Sequence, residues 1–106
     1  MDNDIQHQGV YYLSELLTTD CIHMIDLSFN EHVSDLGASY IREQLKENTT
    51  LSSLNLSACS LTIKGAKDLS DALTTNNTLE KLNISLNAVR DEGIKHLAHA
   101  LSLIHI

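Results

Sequence analysis

Residues 51–61, LSSLNLSACSL, decide the fold because their pattern occurs three times in the chain. Residues 79–89, LEKLNISLNAV, repeat it, with apolar residues again at the first, fourth, sixth and eleventh positions. Residues 22–30, IHMIDLSFN, form an earlier copy, in which Ile22 takes the place of Leu51 and Leu79. The three starting points are almost evenly spaced, and self-similarity at a period of this length is typical of repeat proteins.

Each copy combines a strand pattern with a helix pattern. Leu54 and Leu56 are two residues apart, which places both on one face of a short strand. We expect them to be buried, together with Leu82 and Ile84 at the same positions of the next copy. A glycine and apolar residues at helical spacing follow, as in Gly65, Leu69 and Leu73. Residues 9–17 repeat the helical spacing with no strand pattern before it. We therefore predict an α/β fold, a right-handed βα solenoid with three strands in a curved parallel sheet inside and four helices outside.

The chain length of 106 residues predicts a single domain. We divide residues 1–106 into an N-terminal half repeat, 1–21, and three repeats, 22–50, 51–78 and 79–106. The next first-position leucine would fall at residue 107, and Leu103, Ile104 and Ile106 form an apolar tail. We expect open sheet edges, with either end-to-end self-association or additional repeats.

Composition excludes several classes of partner and setting. Seven Lys and Arg against fourteen Asp and Glu give a formal charge of −7, which disfavours nucleic acid and anionic membranes. Two cysteines are too few for a disulfide framework, and the acidic N-terminus lacks the features of a signal peptide. We expect a cytoplasmic protein. Cys21 is left open between core and surface.

The pattern L-x-x-L-x-L-x-x-N/C-x-L, which residues 51–61 and 79–89 carry, resembles that of leucine-rich-repeat proteins. Repeats as long as these, which begin at Ile22, Leu51 and Leu79, are similar to the ribonuclease-inhibitor-like subfamily. That subfamily includes ribonuclease inhibitor, NOD-like receptor repeats and Ran GTPase-activating protein. The resemblance implies a non-catalytic protein-protein interaction module or scaffold. It also makes a cytoskeletal or ciliary setting possible, since some members are of that kind.

The resemblance also implies two sets of site residues. A structural ladder, which satisfies buried backbone groups after each strand, transfers onto Asn30, Cys59 and Asn87. The concave face binds protein partners in the family. The strand positions that point away from the core here are Met24, Asp26, Ser28, Ser53, Asn55, Ser57, Lys81, Asn83 and Ser85. A plain solvated face stays open as the alternative, because these small polar groups lack Trp, Tyr and Arg anchors.

The alternative function is a GTPase-activating protein of the Ran type, with Arg90 in a loop after a strand as the candidate arginine. His96 and His99 lie three residues apart on a predicted helix, but no complete ligand set accompanies them. We therefore expect no metal, no cofactor and no catalytic residue.

The ends of the helices also carry signals. We predict Thr62 and Ser34 as helix N-caps, and a left-handed conformation after the helices at Asn48 and at Asn76 or Asn77.

Overall fold

Strands and helices alternate along residues 22–104, which are the residues that the computed structural model describes; side chains are described from residue 22 to residue 99. The strands are β1 (Met24–Asp26), β2 (Ser53–Asn55) and β3 (Lys81–Asn83). The helices are α1 (Ser34–Leu45), α2 (Ile63–Leu73) and α3 (Arg90–Ile104). The predicted helix at residues 9–17 and Cys21 lie outside the described residues.

The sheet is parallel, and its strand order β1-β2-β3 follows the chain. Ile25, Leu54 and Leu82 are aligned across the three strands. Each strand leads through a helix to the next one, so equivalent residues of successive repeats lie side by side. The predicted α/β fold class with a parallel three-stranded sheet is confirmed.

The core fills the space between the sheet and the helices. The predicted burial of Leu54 and Leu56 is confirmed, and Leu69 and Leu73 of α2 are buried beside them. Helix α2 packs against both α1 and α3. The second repeat is therefore covered from both sides.

The third repeat is less well covered than the sequence pattern predicts. Leu82 and Ile84 are only partly buried, so the expectation that they are buried is wrong. Among the described residues, β3 has a neighbouring strand on one side only, that of β2. Residues with the same core-facing position therefore differ in exposure between the second and third repeats.

The prediction of the helix N-cap is correct for α2 and wrong for α1. Thr62 is the N-cap of α2, and its side chain accepts a hydrogen bond from the backbone N–H of Lys64. The prediction for Ser34 is wrong: Val33 occupies the cap position of α1, and Ser34 is the first helical residue with a φ of 54°. The loop from Asn30 to Val33 brings the chain into α1 without a side-chain cap.

Asn48 and Asn76 accept hydrogen bonds from the backbone of the turns between helix and strand instead of taking the left-handed conformation that we predict for them. Neither they nor Asn77 have a positive φ. The Oδ1 of Asn76 accepts from the backbone N–H of Leu79 at 2.9 Å, and its Nδ2 donates to the carbonyl oxygens of Leu45 and Asn48, both at 2.9 Å. These two buried asparagines hold the turns between helix and strand together.

Candidate protein-binding surface

Three strand residues that point away from the core form a polar row across the sheet, Asp26, Asn55 and Asn83. Parallel strands are about 4.8 Å apart, which sets the spacing of the row. Asp26 and Asn83 are exposed, and Asn55 is partly exposed. A second row consists of Met24, Ser53 and Lys81. Met24 is 70% exposed, which is unusual for a large apolar side chain.

A third row of predicted concave-face residues consists of Ser28, Ser57 and Ser85. It is not continuous at the surface. Ser28 is partly exposed and Ser85 is exposed, but Ser57 is only 5% exposed. Ser57 lies in the middle repeat, where both neighbouring repeats cover it. Eight of the nine predicted concave-face residues are thus at least partly exposed, and Ser57 is buried.

The polar row is held in a fixed orientation by local hydrogen bonds. The side-chain oxygens of Asp26, Asn55 and Asn83 each accept from a backbone N–H two residues later, at 2.9, 3.0 and 2.9 Å. Hydrogen bonds from the Ser28 side chain and then from its backbone lower the pKa of Asp26, because they stabilise the carboxylate. The row therefore carries a negative charge at β1, while Lys81 places a positive charge at β3.

The predicted ladder residues contact the backbone of the turns after the strands. Asn87 makes the largest set of these hydrogen bonds: its Oδ1 accepts from the N–H groups of Cys59 and Leu61 at 2.9 and 3.0 Å. Its Nδ2 donates to the carbonyl oxygens of Leu56 at 2.8 Å and Ile84 at 2.9 Å. Asn87 thus ties the turns of the second and third repeats together.

Asn30 and Cys59 make similar contacts in the turns of the first two repeats. The Nδ2 of Asn30 donates to the carbonyl oxygen of Leu27 at 2.6 Å, and the Sγ of Cys59 lies 3.0 Å from the same oxygen. Burial raises the pKa of the Cys59 thiol, because it disfavours the thiolate. Since the thiolate is the reactive form, Cys59 is unsuited to nucleophilic chemistry.

Three apolar residues that the sequence analysis did not single out lie beside this ladder. Phe29, Ala58 and Leu86 each precede a ladder residue, and each has a positive φ, at 62°, 52° and 59°. Phe29 is 44% exposed and Leu86 is 75% exposed. The signal that could have found them is an apolar residue at a turn position before the ladder residue in all three repeats.

The candidate residues for other chemistry are not assembled into a site. Within the described residues, no group of three or more His, Cys, Asp or Glu side chains could hold a metal ion. His96 and His99 therefore belong to no such group. Arg90 is exposed at the start of α3 with a φ of 58°. Between residues 22 and 104, no helix has the length and apolarity needed to cross a membrane.

An apolar groove lies at the end of the sheet, between β3 and α3. It has a volume of about 370 Å³, and its apolar lining consists of Leu79, Leu82, Ile84, Ile94, Leu97 and Ala98. The corresponding residues of the second repeat are covered by the third repeat. The groove is thus the surface that each repeat offers to the next one.

Comparison with known sequences adds to this geometry. Residues 47–70 and 75–98 match the family model described as leucine rich repeat, so the likeness covers two segments of 24 residues in a chain of 106. No curated protein matches the sequence of the chain. The ribonuclease-inhibitor-like subfamily stays a prediction, since the matching model does not distinguish it.

Solved structures of two proteins have the same fold as this chain. "Leiomodin-1 Actin-Binding Site 2 (ABS2)" superimposes with a TM-score of 0.83 and 24% sequence identity, over 97% of this chain and 63% of the other. The tropomodulin C-terminal domain of Caenorhabditis elegans gives a TM-score of 0.80 and 16% identity, over 90% of this chain and 58% of the other. The chain therefore spans less than two thirds of either structure, and at these identities the likeness concerns the fold.

Proposed function

We propose that this leucine-rich-repeat chain is a non-catalytic protein-interaction module whose concave face contacts a protein partner. The observation that carries the proposal is the aligned pair of rows on the sheet, which presents Met24, Asp26, Asn83 and Lys81 at the surface. Strand register fixes their spacing, and local hydrogen bonds fix the orientation of Asp26 and Asn83. Such pre-ordered side chains lose little conformational freedom when a partner binds.

We propose actin as the first partner to test, and a cytoplasmic, cytoskeleton-associated setting. The support is the similarity to leiomodin-1, whose structure is described as an actin-binding site. The concave face carries one acidic and one basic group at opposite edges, Asp26 and Lys81, and such a pattern favours one orientation of a charged partner.

Sedimentation of the chain with filamentous actin, and size-exclusion chromatography with monomeric actin, test this proposal. The variant Asp26→Lys/Lys81→Glu exchanges the two charges, and we expect at least a tenfold loss of affinity. Lys67→Glu, on the exposed surface of α2, is the control and should bind as the wild type does. If the wild type binds neither form of actin, the actin proposal is wrong. If the exchanged variant binds as the control does, the concave-face proposal is wrong.

The second candidate function is activation of a Ran-type GTPase, and the exposure of Arg90 favours it. Within the described residues, the Arg90 side chain makes no ion pair, whereas Arg42 pairs with Asp68 and Glu43. An arginine that stabilises the transition state of phosphoryl transfer must be free to reach the nucleotide of a partner. A GTP hydrolysis rate of Ran-like GTPases that is unchanged by equimolar chain would eliminate this candidate. Loss of activation in Arg90→Ala would support it.

A further inference from the structure

Phe29, Ala58 and Leu86, which we call the rim row, share an unusual backbone conformation. All three have a positive φ, although none is a glycine. In the left-handed region, the Cβ of an L-residue is too close to the following carbonyl oxygen, so Gly and Asn are the residues that favour it. A bulky apolar residue there is uncommon. Its recurrence at the same position of three successive repeats means that the turn imposes the conformation, so it is the choice of Phe and Leu at two of these positions that needs a separate reason.

The three residues are neighbours across the sheet. The backbone N–H of Phe29 donates to the carbonyl oxygen of Ser57 at 2.9 Å, and that of Ala58 donates to the carbonyl oxygen of Ser85 at 3.0 Å. These bonds continue the parallel strand pairing into the turns. At a strand spacing of about 4.8 Å, Phe29 and Leu86 are about 10 Å apart, with Ala58 between them. The rim row is thus a straight apolar surface with a small residue at its centre.

Packing within the chain does not account for these side chains. Phe29 is 44% exposed and Leu86 is 75% exposed, while the adjacent ladder residues Asn30 and Cys59 are buried. Leu86 adds little to folding, since most of its apolar surface stays in water, and the exposed part of Phe29 adds nothing. Both the conformation and the exposure are unfavourable for the isolated chain, and strained residues of this kind cluster at functional surfaces.

Among the charged residues that follow the rim residues in the sequence, most are acidic. Glu31 is exposed two residues after Phe29, and Asp91 and Glu92 are exposed soon after Leu86. Arg90 is the basic residue in the same stretch, and the whole chain has a formal charge of −7. A partner segment with basic residues beside its apolar ones therefore fits this surface better than an acidic one.

We propose that the rim row binds an amphipathic helix of a protein partner, one with an apolar stripe and basic flanks. Residues i and i+7 of a helix are about 10.5 Å apart along its axis, close to the distance between Phe29 and Leu86. A large residue at i+3 or i+4 fits above Ala58. This inference rests on the proposed role as a protein-binding module, but it does not require actin or the concave face.

A labelled synthetic helix is the probe that tests the proposal. The peptide has Leu at positions i, i+3, i+4 and i+7, which form one apolar stripe, and Lys at its other positions. Its binding to the chain is followed by fluorescence anisotropy. A peptide with Glu in place of Lys and a scrambled Leu/Lys peptide are the probe controls. We expect the wild type to bind the Leu/Lys helix at least tenfold more tightly than either control.

The variant Phe29→Asn/Leu86→Asn separates binding from folding. Asn adopts the left-handed conformation more readily than Phe or Leu, so its Tm should equal or exceed that of the wild type. Its affinity for the Leu/Lys helix should fall at least tenfold. Leu36→Gln on α1 removes an apolar residue with a similar exposure, 45%, outside the rim row and should leave the affinity unchanged.

Two results would overturn the inference. A fall in Tm of more than about 5 °C in the double Asn variant would mean that the two side chains stabilise the fold. Equal affinity of the wild type for the three peptides, or no binding at all, would exclude the amphipathic basic helix as occupant. Actin binding that survives in the double Asn variant would leave the concave-face proposal standing, so failure of one proposal can be told from failure of the other.

Discussion

Replacement of Asn87 by alanine should lower the stability of the chain by about 2–3 kcal/mol. The change removes three hydrogen bonds that join the second repeat to the third, those with the N–H groups of Cys59 and Leu61 and with the carbonyl oxygen of Leu56. A hydrogen bond of this kind contributes about 1 kcal/mol net, and a buried group left without a partner costs more than that. Ile84 and Ser85 also lose a donor; the bond to Ser85 is exposed, so water replaces it there, whereas the bond to Ile84 is partly buried.

Urea unfolding followed by circular dichroism measures the effect, and the midpoint should fall while the slope with denaturant stays constant. For a domain of this size, 1 kcal/mol corresponds to about 4–8 °C in Tm, so we expect a fall of about 10–20 °C. Asn87→Asp keeps one acceptor oxygen and removes the donor. Its destabilisation tests whether acceptance from Cys59 and Leu61 or donation to Leu56 matters more.

Asn83→Ala is the matched control, four residues earlier in the chain. The Asn83 side chain accepts from the N–H and the hydroxyl of Ser85, and both residues are exposed. Water can replace these bonds, so the expected loss is about 0.5 kcal/mol or less. Equal losses in Asn87→Ala and Asn83→Ala would refute the reasoning, since they would mean that the ladder position and the concave face do not differ in burial.

Three further predictions concern the core, the pH response and the end of the sheet. Leu56→Ala should cost about 2–5 kcal/mol in denaturant unfolding, because the side chain is fully buried, whereas Leu86→Ala, largely exposed, should cost less than about 0.5 kcal/mol. Ser28→Ala should raise the pKa of Asp26 part of the way to its ordinary value in an NMR titration, because the hydroxyl bond is lost and the backbone bond stays. Since the Asp26 pKa is lowered in the folded chain, its stabilising effect is present above the ordinary pKa of Asp and is lost as pH falls through the lowered value. Self-association through the apolar groove should appear as a concentration-dependent sedimentation coefficient that Ile94→Glu abolishes, and a coefficient independent of concentration would contradict end-to-end contact.

The alternating pattern of the sequence was sufficient to predict the strands and their register. Leu54 and Leu56 point to the core because the strand period is two, and Leu82 aligns with Leu54 because the same pattern recurs in the next repeat. The helices follow for the same reason, since Leu69 and Leu73 are four residues apart. In a repeat protein, the same local pattern specifies the same strand and the same helix in each repeat.

The sequence could not predict how far neighbouring repeats cover a residue. Ser57 and Ser85 share one position in the pattern, but Ser57 is buried between two repeats and Ser85 is exposed. The role of Asn76 was also missed, because its bonds to Leu45 and Asn48 join residues 31 and 28 positions apart. Periodicity fixes the side of an element on which a residue lies, whereas burial and cross-repeat bonds depend on what stacks against it.

The two proposed contact surfaces share a profile that a single repeat could not produce. In the second row on the sheet, Met24 and Lys81 flank the small Ser53. In the rim row, Phe29 and Leu86 flank the small Ala58. In both rows, the large side chains come from the outer repeats and the small one from the middle repeat. We therefore expect a partner element that crosses the sheet to place its largest side chain over the second repeat and to contact the flanking residues on both sides. In such an arrangement, a few central contacts carry most of the binding energy.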